Sequence, residues 1–210
     1  MDIVFLGRSA FRLRGKDVTV VTDPYPPGKG PGMGKLQANI ITASTSAPER
    51  SFVSGVDGVP RVIQGPGEYE VAGVLIHGVA THREPGTGPT NTAYVLRMDD
   101  LVVCHLGSVS GKLTNEQVEE LGNVDIVMVP VGANGTLEPT TAAEVVAQLE
   151  PSLVIPMEFR EGGVGDTLEP VEHFCREMGV TSVTPEPRVS VTKSSLPSDT
   201  RVVVLEPKKG

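Results

Sequence analysis

Tryptophan is absent from the 210-residue sequence, aromatic residues make up only 4% of it, and cysteine occurs twice. A core poor in aromatics must be built from aliphatic side chains, and 39% hydrophobic content over this length is enough to bury one. One domain, residues 1–210, is the default expectation. Two cysteines exclude a disulfide framework. Cys104 lies in an apolar run and Cys175 in a helical pattern, so both read as core residues of a protein kept in a reducing cytoplasm.

Basic charge is scarce too. A net charge of −8 and a pI near 5.0 argue against a nucleic-acid partner, because neutralising phosphates takes a surplus of lysine and arginine. No apolar run approaches the ~20 residues of a membrane span, and the start Met1-Asp2-Ile3-Val4-Phe5-Leu6-Gly7 lacks the basic and apolar regions of a secretory signal. The expectation is a soluble, cytoplasmic chain with no membrane partner.

The first half is a series of short β-rich runs: Ile3 to Leu6, Phe11 to Arg14, Val18 to Thr22, Asn39 to Ala43, Arg61 to Gln64 and Glu70 to Val79. The proline- and glycine-rich stretch from Pro24 to Gly32 can hold neither a ladder nor a helix and reads as a surface loop. A hairpin is expected where Asp99-Asp100 separates Thr92–Leu96 from Leu101–His105. The pattern then changes. Thr114 with Gln117 three places on has the form of a capping box opening a helix, and Val124 to Pro130 reads as a buried strand. A helix from about Thr140 to Leu149, a strand Leu153 to Pro156 and a helix from about Pro170 to Met178 follow, with strand-like runs at Arg188 to Thr192 and Arg201 to Leu205. Antiparallel strands first and helix–strand alternation second predict an α/β (α+β) fold, two sheets face to face with helices outside, a four-layer αββα sandwich.

Catalytic signatures are few. Ser9, Ser44, Ser46 and Ser108 fall in no Gly-x-Ser-x-Gly turn, and Gly28 to Gly34 matches neither a P-loop nor a dinucleotide fingerprint. His77, His82, His105 and His173 show no metal-ligand spacing; His77 on a strand and His173 in a helix read as packed or solvated side chains.

Several ordered landmarks carry a family resemblance. They are Met1 to Leu13 with Val21-Thr22-Asp23-Pro24, Gly65-Pro66-Gly67-Glu68-Tyr69-Glu70, Asn91-Thr92-Ala93-Tyr94, Cys104-His105-Leu106-Gly107, Asp125 to Gly132, and Val154-Ile155-Pro156-Met157. In their order and spacing the chain resembles the small, bacterial-type UlaG-like metal-dependent hydrolases of the metallo-β-lactamase fold. The resemblance implies an αββα sandwich with a metal site at the strand ends, built from a His-x-His-x-Asp-His signature, a further histidine, an aspartate and a final histidine. Zinc requires such donors to converge at roughly 2.0–2.2 Å.

At the positions this resemblance marks, the sequence differs. The signature stretch is Ser44-Thr45-Ser46-Ala47-Pro48-Glu49-Arg50, so Thr45, Ala47, Glu49 and Arg50 take the ligand places. Ser108 replaces the aspartate and Glu158 the final histidine; an ungapped alignment puts Arg83 at the remaining histidine, while a one-residue slip puts His82 there. Arg8 follows the glycine where the branch usually has histidine, and His105 neighbours the site without belonging to the metal set. Such a set suits zinc poorly, and the expectation is a non-catalytic member without a metal cofactor. Arg8, Arg50 and Arg83, with Arg160 nearby, would gather at the vacated place. They either pair with Glu49, Glu84 and Glu158 to fill the cavity, or present forked donors to a small phosphate or carboxylate. A divergent zinc hydrolase and an interaction scaffold, as a homo-oligomer, are the alternatives.

Overall fold

The computed structural model describes residues 1–81, 90–161 and 167–208. The first strands are β1 (Asp2–Gly7), β2 (Ala10–Arg14), β3 (Thr19–Thr22), β4 (Leu36–Gln37), β5 (Ile40–Ala43), β6 (Val56–Asp57) and β7 (Arg61–Gln64). Hairpin strands β8 (Gly67–Val71), β9 (Val74–Thr81), β10 (Asn91–Met98) and β11 (Leu101–His105) follow. Helix and strand then alternate through α1 (Asn115–Leu121), β12 (Ile126–Pro130), α2 (Pro139–Leu149), β13 (Leu153–Met157) and α3 (Val171–Glu177), ending on β14 (Val189–Ser190) and β15 (Arg201–Val202).

Two large sheets result, one ordered β14-β1-β2-β3-β5-β7 and the other β15-β13-β12-β11-β10-β9-β8. Each joins an antiparallel part to a parallel part, β3 to β5 to β7 in the first and β11 to β12 to β13 in the second. This is the mixed α/β, two-sheet class expected from the sequence.

Side-chain alternation along the strands assigns the faces. Ile3, Phe5, Phe11, Leu13, Val20 and Ile40 join one apolar cluster that continues through the second sheet to Leu121, Val145, Phe174 and Cys175 on the helices. Their neighbours Val4, Leu6, Ala10, Val21 and Ile41 point the other way and meet Tyr25, Met33, Leu36 and Val56 in a second cluster. On the second sheet α1 packs against β9 and α2 against β12, and α3 packs against α2. The first sheet is covered on its outside by the stretch from Tyr25 to Met33, by Leu36 of β4 and Val56 of β6, and by the 3₁₀ turn Val53–Gly55, with no α-helix of the described residues in that layer. The stretch read as a surface loop, Pro24 to Gly32, is therefore more than that: Tyr25 within it and Met33 just after it are buried, and the Tyr25 hydroxyl donates to the Leu6 carbonyl at 2.5 Å.

Two local features differ in legibility. The capping box forms as read: Gln117 N–H donates to Thr114 Oγ1 at 3.2 Å and Thr114 N–H to Gln117 Oε1 at 2.9 Å. The run from Glu70 to Val79 is instead cut into β8 and β9 by Ala72-Gly73, both in the left-handed region with φ of +50° and +78°. An asparagine or aspartate in the first turn position would have announced this hairpin; alanine does not.

Candidate functional site

The site lies where β1 turns into β2 and where β3, β5, β11 and β13 end. Arg8 sits in the β1–β2 turn, and its carbonyl accepts the Glu158 N–H at 2.9 Å, fastening the segment after β13 to that turn. Arg8, Asp23 and Glu158 all have left-handed backbones, with φ of +57°, +41° and +54°. A non-glycine residue held there costs roughly 1–3 kcal/mol and persists only where the surroundings over-determine it. Here three charged residues at one end of the sandwich share that property. Gly132 makes the approach possible, since a Cβ at that position would collide with the Glu158 carbonyl oxygen.

The side chains then form a closed polar network. Arg50 Nη1 donates to Glu158 Oε1 at 2.9 Å and to Ser9 Oγ at 2.7 Å, while Arg8 Nη2 lies 3.4 Å from Glu158 Oε2. Asp23, 1% exposed, accepts from the Ser44 N–H at 2.7 Å and the Ser44 hydroxyl at 2.6 Å. Two guanidinium charges thus stand against two carboxylates. Burial alone would push Glu158 up, but Arg50 and Arg8 outweigh it and hold its carboxyl below the usual carboxylate range. Burial likewise works against the Arg50 charge, and Glu158 and Asp23 more than restore it.

His105 at the end of β11 is fully buried, with its Nε2 2.8 Å from the Ser9 carbonyl oxygen. A carbonyl only accepts, so Nε2 carries the proton and Nδ1 is bare, with no partner among the described residues. Burial keeps this imidazole below its ordinary pKa and hence neutral.

Of the remaining sequence-marked positions, Thr45 is buried and its Oγ1 accepts the Ala47 N–H at 3.2 Å. Ser108 N–H donates to Asn91 Oδ1 at 2.8 Å, and Asn91 in turn donates to Thr81 Oγ1 and to the Leu106 carbonyl. Glu49 is exposed and acts on Arg50 only from a distance; the partner of Arg50 is Glu158. Arg160 directs its Nε to the Leu168 carbonyl at 3.0 Å and stands apart from the ion pairs. His82, Arg83 and Glu84 lie outside the described residues. The structure thus brings Arg8, Arg50 and Glu158 together, and adds Ser9, Asp23, Ser44, Asn91 and Glu161, none of which the sequence marked as a site position. Asp23-Pro24 after the apolar run was a usable signal for one of them; Glu161 had none.

Among the described residues, the side chains gathered here do not fit the metal that this fold's hydrolases use. Both Glu158 oxygens face guanidinium groups, both Asp23 oxygens accept hydrogen bonds from Ser44, and Arg50 sets a fixed positive charge beside the Glu158 carboxylate. The bare Nδ1 of His105 is a single imidazole donor, and among the described residues no three His, Cys, Asp or Glu side chains are grouped to hold a metal ion.

A two-sheet α/β sandwich with its polar site at the strand ends defines the metallo-β-lactamase fold, and comparison with known proteins agrees. Residues 2–158 match the model of the β-lactamase superfamily domain, and the chain belongs to that superfamily. It is 32% identical to a candidate Zn-dependent hydrolase of the metallo-β-lactamase superfamily from Thermotoga maritima, with a TM-score of 0.83 and 98% of both chains covered. A UPF0173 protein of Pyrococcus abyssi is 26% identical over 199 residues, covering 85% of this chain and 90% of the relative. A UPF0173 metal-dependent hydrolase of Desulforamulus reducens is 26% identical over 192 residues, covering 76% and 84%. No described helix is long and apolar enough to cross a membrane.

Proposed function

We propose that this chain keeps the hydrolase fold without its metal chemistry: an Arg50–Glu158–Arg8 cluster fills the site, and Arg8 presents it to a small oxyanion. A shared fold does not fix function, so the argument rests on the site. The observation that supports it is the Arg50 guanidinium, 2.9 Å from Glu158 and 2.7 Å from Ser9 at the strand ends, where the family resemblance puts the metal ligands. A guanidinium offers positive charge and forked donors but no vacant coordination position, so it cannot lower the pKa of a bound water as zinc does. Arg50 is largely enclosed, whereas the Arg8 side chain is 30% exposed and, among the described residues, its guanidinium pairs with Glu158 alone, at 3.4 Å. Arg8 therefore retains donors for a phosphate-, sulfate- or carboxylate-bearing molecule.

The second reading is a divergent metal-dependent hydrolase, favoured by similarity to hydrolases over almost the whole chain. Ester, phosphodiester and β-lactam hydrolysis, measured with and without added zinc or manganese, separates the two. The expected result is no metal-dependent turnover, together with a rise in melting temperature with sulfate that Arg8→Ala removes. Metal-stimulated turnover would establish the hydrolase reading instead.

A further inference from the structure

Among the described residues Glu161 takes part in no ion pair, yet it reaches the same turn. Its Oε1 accepts the Arg8 backbone N–H at 2.6 Å, the residue is 8% exposed, and Oε2 is buried with no hydrogen-bond partner among the described residues. The groups facing it are Arg8 from the β1–β2 turn, Tyr25 from the stretch after β3, and Glu158 from its own segment. Neighbouring Arg160 is turned to the Leu168 carbonyl.

Charge counting decides which form of Glu161 this environment accepts. Arg8 and Arg50 are already balanced by Glu158 and Asp23. Against these described groups an ionised Glu161 would add a surplus negative charge, with one oxygen lacking a donor among the described residues, and buried unpaired charge is strongly unfavourable. A neutral carboxyl still accepts the Arg8 N–H and leaves its other neighbours undisturbed. In agreement, burial, reinforced by the Glu158 charge, pushes the Glu161 carboxyl up to about 7, although the Arg8 N–H pulls the other way. Of the possible partners for an ionised Glu161, Arg8 is the one free to move, because its 3.4 Å contact with Glu158 is looser than that of Arg50 at 2.9 Å.

We propose that Glu161 is a proton-operated switch for Arg8: neutral, it leaves the Arg8 guanidinium on Glu158; ionised, it draws that guanidinium to itself and uncovers the Arg50–Glu158 pair. The trigger is one proton near neutrality and the moving part is one side chain on a turn whose backbone Glu161 already grips. Anion affinity should then fall as pH rises, since Arg8 is withdrawn and the local charge drops by one; this consequence rests on the anion reading, while the switch itself does not.

The test is an NMR titration of the full ¹⁵N-labelled chain between pH 5 and 9. The Arg8 backbone amide and guanidinium signals are expected to shift together with a midpoint near 7, and to stay flat in Glu161→Gln. Flat Arg8 signals in the wild type, or the same titration in Glu161→Gln, would overturn the switch. Should Glu161→Gln fail to fold, ¹³C-carboxyl labelling of glutamate in the wild type decides. A Glu161 midpoint coinciding with that of Arg8 supports the switch, and a midpoint at the ordinary glutamate value overturns it. Sulfate, whose charge is constant over this range, separates the two proposals. Binding roughly tenfold weaker at pH 8 than at pH 6 is expected from the change of one nearby charge. Absence of any sulfate effect removes the anion reading and leaves the Arg8 signals to decide the switch.

Discussion

Replacing Arg50 with methionine is expected to lower the melting temperature by roughly 10 °C, equivalent to about 3–5 kcal/mol for a buried carboxylate deprived of its partner. Glu158 is 2% exposed, and Arg50 supplies its shorter ion pair as well as the donor to Ser9. Arg8 alone, at 3.4 Å, would not replace it. The loss should be repaired in large part by adding Glu158→Gln, since removing both charges leaves no uncompensated one. The pH dependence has a definite sign. Because Glu158 is held below its ordinary value of 4.5, its contribution is present above that value and is lost as pH falls through the depressed one. Thermal and urea denaturation of the two variants between pH 3 and 7 would check both points. A single variant as stable as the wild type at pH 7 would show that the cluster does not hold the segment after β13.

Gly132→Ala should have an effect of similar size through packing alone. The added methyl meets the Glu158 carbonyl oxygen, with the Glu158 carbonyl carbon and Phe159 Cα at 3.0 and 3.1 Å behind it. Overpacking costs about 1–3 kcal/mol, and the upper end is expected where backbone and not a flexible side chain must yield. The same backbone carries the Glu158 N–H bond to Arg8, and the Gly132 carbonyl accepts the Glu169 N–H at 3.0 Å. Displacement should therefore reach the ion pairs as well as stability. A Gly132→Ala protein that melts within a degree or two of the wild type would contradict this tight approach.

Much of the fold was legible because strand and helix periodicities are local. The capping box at Thr114 and the Asp99-Asp100 turn, whose residues have φ of +51° and +63°, announce themselves in residue types suited to those conformations. The Ala72-Gly73 turn was hidden by an alanine in a left-handed position, and the covering of the first sheet by Tyr25 and Met33 was hidden by the loop-like composition around them. At the site, Arg8, Arg50 and Glu158 could be placed near one another only through the ordered landmarks of a known fold; no local pattern links residues separated by 108 positions. Pairing was less legible still. Nothing in the sequence tells Glu158 from the adjacent Glu49 as the partner of Arg50, and Glu161 acquires its character from burial beside Arg8.

The central claim is that a guanidinium–carboxylate cluster stands where this fold's hydrolases hold metal. Elemental analysis by mass spectrometry of protein purified without chelators, from cells supplied with zinc, iron and manganese, tests it most directly. The account predicts each metal well below one ion per chain, because Glu158 and Asp23 already have their partners and Arg50 repels a cation at that place. One or more tightly held ions per chain would contradict it.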